Sequence, residues 1–157
     1  MIIKETFLSD ELITEIGKFA VLWNWIEGCF FSNDCSSGAI KAKANQITIN
    51  RGVLSNFAIL LRERCDIYGG NISEYIDIGL HPNNARQSSD ESKRLMRNFI
   101  MMEGDCLVAG CLLIIQRIRN NMFHGLKGLE MLNTQLNLFK GLNLVLENVR
   151  LERNDRN

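Results

Sequence analysis

Leu12, Ile16, Phe19, Trp23, Ile26 and Phe30 follow one another at alternating steps of four and three residues. That interval keeps one face of an α-helix turned towards its neighbours. The same rhythm returns in Leu95, Phe99, Met102, Cys106, Ala109 and Leu113, and again in Leu132, Leu136, Phe139, Leu142, Leu146 and Val149. Val53, Phe57, Leu60 and Leu61 mark the inner face of a further helix. Such stripes bury their side chains only against other helices, so the expected fold is all-α, an antiparallel up-down helical bundle of four to five helices. A single proline in 157 residues and a hydrophobic content of 46% permit this fold and exclude a disordered or collagenous chain. The length suits one domain, 1–157, with a polar tail from about residue 151.

Local signals set the element boundaries. Ser9 can accept a backbone N–H as N-cap of the first helix, Asp10 and Glu11 complement its dipole, and "SNDCSSG" ends it. Residues 39–50 read as a short helix or a polar connection, and "YGG" at Tyr68 to Gly70 closes the second long helix. The stretch from Gly70 to Ser89 lacks helical periodicity and holds the only proline; a connection this long is expected to be a substrate-side loop. Ser88 and Glu91 form a capping box for a third helix running to about Arg119, in which Gly104 and Gly110 would let a neighbour approach closely. A final helix spans roughly Glu130 to Glu152.

Eighteen basic and eighteen acidic residues cancel, which argues against gripping nucleic acid through bulk positive potential. Charge is local instead: Lys93, Arg94, Arg97, Arg117, Arg119 and Lys127 stand against only Glu103 and Asp105 between Lys93 and Lys127. Cys29, Cys35, Cys65, Cys106 and Cys111 are odd in number, lack C-x-x-C spacing, and read as reduced packing residues. His81 and His124 have no Cys or carboxylate pattern around them, so no metal is expected, and the glycines match no phosphate-cradling loop. No stretch reaches the roughly 18 apolar residues of a membrane span, and the expected location is the cytoplasm.

Against this background "RIRNNMFHGLK", Arg117 to Lys127, places two arginines, two asparagines and a histidine between apolar segments. On a continuous helix Arg119 and His124 would lie about 140° apart. Asn120 and Asn121 are mediocre helix formers and Gly125 suits a helix end, so a helix that stops or bends here would turn both side chains to one cleft. Histidine can transfer a proton near neutral pH, and arginine offers a charged fork for phosphate oxygens. Together with an asparagine they are a minimal kit for transesterification at an RNA phosphodiester, where the 2′-hydroxyl attacks phosphorus and charge builds on the phosphoryl oxygens.

Arg119-Asn120-Asn121-Met122-Phe123-His124 resembles the R-x4-6-H motif of HEPN domains (higher eukaryotes and prokaryotes nucleotide-binding), including the polar residue after the arginine. The resemblance implies a helical bundle with the motif near the junction of the last two main helices. It also implies a metal-independent endoribonuclease of toxin–antitoxin, abortive-infection or other antiviral defence systems that needs no cofactor. Such a nuclease would be a homodimer with a composite active site, and an antitoxin or regulatory protein would be a partner. On this resemblance Arg119, Asn120 and His124 are the catalytic candidates. "LWNWIEG", Leu22 to Gly28, resembles the segment that carries a supporting acidic residue, here Glu27, which would hold Arg119. Lys127 reads equally as an RNA contact or a solvated lysine, and Glu27 equally as an exposed flank residue. HEPN toxins silenced by nucleotide transfer resemble R-x4-H-x-Y, whereas this chain has Leu126 at the tyrosine position, which speaks against that control. The alternative is a non-catalytic HEPN-like helical module that binds RNA, a nucleotide or a protein partner.

Overall fold

The computed structural model describes residues 2–3, 6–82, 85–122 and 134–151. Seven α-helices lie among the described residues: α1 (Asp10–Phe30), α2 (Ser37–Lys43), α3 (Arg51–Cys65), α4 (Ile72–Glu74), α5 (Asp90–Met101), α6 (Leu107–Asn121) and α7 (Leu136–Glu147). The all-α expectation holds. The only strands among these residues are two-residue antiparallel pairs, β1 (Ile2–Ile3) with β2 (Thr6–Phe7), and β3 (Ile47–Thr48) with β4 (Arg150–Leu151). In the second pair Ile47 faces Leu151 and Thr48 faces Arg150, so β4 docks onto the connection between α2 and α3.

Capping follows the sequence closely. Ser9 accepts the Leu12 N–H at 3.1 Å, and Ser36, Asn50, Asn71 and Ser89 do the same for α2, α3, α4 and α5. The cap of α5 is therefore Ser89, one residue later than the Ser88–Glu91 box predicts. On α1, Leu12, Phe19, Trp23, Ile26 and Phe30 are buried as their spacing requires, while Trp25 projects outward at 44% exposure. The inner face of α3 is Leu54, Phe57, Ala58, Leu61 and Cys65, turned slightly from the expected one so that Val53 and Leu60 are half-buried. Phe19, Phe57, Phe99 and Phe139, one each from α1, α3, α5 and α7, are fully buried. The Phe19–Phe139 and Phe57–Phe99 rings pair at 5.9 Å and 6.0 Å. Each such side chain contributes about 1.5–3 kcal/mol by leaving water.

The main departure from the sequence reading is the expected third helix, 88–119, which is two helices. Met102 (φ 53°) and Gly104 (φ 83°) take left-handed backbone, the Met102 N–H bonds the Phe99 carbonyl, and α6 folds back against α5. Gly104 is thus a turn residue. Gly110 is the one at a close helix contact: a Cβ there would stand 2.1 Å from the Leu95 carbonyl oxygen. The connection between α3 and α5 is also more ordered than expected. After α4 it continues as a π-helical turn, Tyr75–Gly79, whose Tyr75 and Ile76 are buried.

Helix directions follow from residue pairs. Lys140 with Glu11, Asn143 with Glu15 and Lys18 with Glu147 align α1 and α7 in parallel. Arg64 with Thr134 and Leu60 beside Gly141 set α3 antiparallel to α7. The antiparallel packing expected of the bundle is present in α5–α6 and α3–α7, while α1 and α7 run parallel. Near the C-terminal end of α6, Gln116 donates to the carbonyl of Cys35, just past the C-terminal end of α1, at 2.7 Å.

Two glycine substitutions should act in opposite directions. Gly110→Ala is expected to destabilise the chain by about 1–3 kcal/mol, because its methyl meets backbone that cannot yield. Gly17→Ala, in α1 with nothing within 4 Å of the added carbon, should stabilise it by about 0.5–1 kcal/mol. Urea denaturation midpoints of both variants check the pair.

Candidate functional site at the end of α6

α6 is apolar on every side for most of its length: Leu107, Ala109, Cys111, Leu112, Leu113, Ile114, Ile115 and Ile118 are all buried. A helix surrounded by protein has nowhere to put polar side chains except its last turn. There the chain places Gln116, Arg117, Arg119, Asn120 and Asn121. The helix ends at Asn121, as the weak helix formers predict.

These five side chains divide into anchors and exposed groups. Gln116 bridges to the 35–37 segment, donating to the Cys35 carbonyl and accepting from the Ser37 hydroxyl at 3.1 Å. Arg117 Nε donates to the Leu80 carbonyl at 3.1 Å, and Asn121 Nδ2 donates to the same oxygen at 3.0 Å. Burial lowers the Arg117 pKa, but a guanidinium stays charged in water-accessible protein. Arg119 and Asn120 are left exposed, and the Arg119 guanidinium donates only to Asn120 Oδ1, at 3.4 Å, among the described residues.

Glu27 is half-buried, and its carboxylate accepts the Trp23 indole N–H at 2.7 Å, one helical turn back. Among the described residues no ion pair joins it to Arg119, so the carboxylate that was expected to hold the arginine instead fixes the tryptophan. The two charges nevertheless share a neighbourhood, because both act on the Cys35 thiol. Burial, then Glu27 and Asp34, push that thiol up to about 12 against the opposing pull of Arg119. At neutral pH Cys35 is therefore a protonated packing group and no nucleophile. Cys65 and Cys111 are buried thiols as well, whereas Cys29 and Cys106 are exposed, contrary to the all-packing reading. His124 and Lys127 lie outside the described residues. A concavity of about 250 Å³ between the end of α1 and α2 is lined by Phe30, Phe31, Ser32, Asp34, Ala39, Ala42 and Lys43, without Glu27 or Arg119.

Sequence reasoning missed Gln116 and Cys35. A glutamine after "LLII" was the available signal, since a polar side chain closing an apolar run needs a partner. The other histidine, His81, is a structural clasp. Its Nδ1–H donates to the Ile76 carbonyl at 2.7 Å, and its Nε2 accepts from the Ser88 hydroxyl at 2.7 Å and the Ser88 N–H at 3.2 Å. That arrangement needs a neutral ring, and burial, reinforced by Arg117 and Lys93, lowers its pKa despite the Ile76 carbonyl and Asp77.

Comparison with family models, with curated proteins and with solved structures finds no match to this chain. Among the described residues no three His, Cys, Asp or Glu side chains converge as metal ligands would, and no helix is long and apolar enough to cross a membrane.

Because the folded chain holds His81 neutral, it binds a proton there less readily than the unfolded chain does. Above the ordinary value of 6.5 the ring is uncharged in both states and its contribution is complete. Below that value the unfolded chain gains a proton first, and stability falls with pH until the folded ring titrates. His81→Gln should therefore lose less stability than the wild type between about pH 7 and pH 5, measured as the difference in urea midpoints at the two ends.

Proposed function

We propose that the chain is a metal-independent endoribonuclease of the HEPN type, acting as a homodimer in which the ends of two α6 helices line one cleft. What supports this is the contrast in the last turn of α6: Gln116, Arg117 and Asn121 are spent on holding the helix in place, while Arg119 and Asn120 are exposed to solvent. A guanidinium that has no acidic partner among the described residues, at a moored helix end, suits a phosphate oxygen whose charge grows in the transition state. In this reading Arg119 stabilises the phosphoryl charge, Asn120 orients it, and His124 takes the proton of the 2′-hydroxyl. Glu27 acts at one remove, by fixing Trp23 and adding negative potential near Arg119. Lys127 would meet a flanking phosphate. A role in defence, with a protein antitoxin as regulator, follows from the same family resemblance.

The reading is tested by incubating varied RNAs with the purified chain in EDTA. Cleavage to products with a 2′,3′-cyclic or 3′-phosphate and a 5′-hydroxyl is expected, with DNA left intact. Arg119→Ala and His124→Ala should each slow it at least about a hundredfold while melting curves and oligomeric size stay unchanged. No cleavage by the wild type, with RNA still bound, would leave the non-catalytic module as the better description.

A further inference from the structure

We propose that the concavity between α5 and the 72–79 segment binds the phosphate group of a small phosphorylated, hydroxyl-bearing ligand, with Arg94 and Arg97 as its anchors. This site is separate from the end of α6 and does not depend on how Arg119 is used.

The cavity has a volume of about 290 Å³ and is lined by Ser73, Ile76 and Asp77 from one wall and by Asp90, Lys93, Arg94 and Arg97 from the other. That size sits at the lower end of ligand pockets, about 300 Å³, and suits a molecule no larger than a sugar phosphate. Arg94 and Arg97 are three positions apart and so share one face of α5. Acidic groups stand in the same cavity, yet among the described residues neither arginine forms an ion pair within 4.0 Å. Asp77 is taken by Lys93 at 2.8 Å, and Lys93 is held further by Gln87 Oε1 at 2.7 Å. Asp90, one helical turn before Arg94, remains apart from it. Two planar forks left open beside a fixed ammonium match the several oxygens of a phosphate monoester. Asp77, Asp90 and the Ser73 hydroxyl are suited to accept hydrogen bonds from ligand hydroxyls, and Ile76 supplies an apolar patch. The neutral net charge of the chain makes this attraction local to the cavity.

Calorimetric titration of the intact chain at low salt tests the assignment with inorganic phosphate, ribose 5-phosphate and ribose. Ribose 5-phosphate should bind more tightly than phosphate, and ribose should give no saturable heat. Arg94→Gln/Arg97→Gln should weaken binding at least about tenfold, and Arg94→Lys/Arg97→Lys should recover part of it. Both arginines are exposed, so the variants should fold, with Arg97→Gln alone as a second probe. A 5′-phosphorylated RNA hexamer, set against its 5′-hydroxyl form, distinguishes a polymer end from a free sugar phosphate: preference for the phosphorylated hexamer over ribose 5-phosphate identifies the polymer. The proposal is overturned if no phosphate compound binds the wild type up to about 10 mM, if ribose binds equally well, or if the double glutamine variant binds as tightly as the wild type.

Discussion

The approach of α6 to α5 at Gly110 is the constraint on which the rest of the bundle depends. With no side chain at that point, the α6 backbone lies against the Leu95 carbonyl and beside Phe99. That closeness lets α6 be enclosed on all sides, with α2 and α5 packed against it. A helix enclosed in this way fixes its own ends, because rotating it would drive Ile114 or Ile118 into the places of polar neighbours. The position of everything in the last turn is inherited from the packing several turns earlier.

That inheritance explains how the end of α6 serves two directions. At about 100° per residue, Arg117 and Asn121 return to nearly the same side and meet at the Leu80 carbonyl. Gln116 faces the 35–37 segment, and Arg119 lies on that side too, close enough to Cys35 for its charge to be felt there. The basic third of the sequence, Lys93 to Lys127, is accordingly no single patch. Lys93, Arg94 and Arg97 line the cavity beside the π-turn, Arg117 is half-buried as an anchor, and Arg119 faces solvent at the end of α6.

The long apolar stripes and the Ser9 cap of α1 were readable because each depends on residues within a few positions. The break at Met102 was not, because Met102 and Cys106 continue the four-three rhythm straight through it and only the backbone torsions reveal the turn. The charge of Glu27 points to Arg119 or to an exposed flank. The nearer partner, Trp23 one turn away on the same helix, was equally visible in the sequence. Asn121 could be set aside from the site, but its acceptor could not be named: the Leu80 carbonyl is a main-chain group brought in from another segment, and main-chain acceptors leave no mark in a sequence.

The moorings of α6 reach far along the chain, 81 positions from Gln116 to Cys35 and 41 from Asn121 to Leu80. Contacts between such distant positions close large loops, and the entropy of closure delays them until more local structure exists. The frame around Arg119 is therefore an end product of folding, assembled from three stretches that must each be in place. A chain that has lost the 35–37 segment or the stretch holding Leu80 would carry the arginine without the frame that positions it.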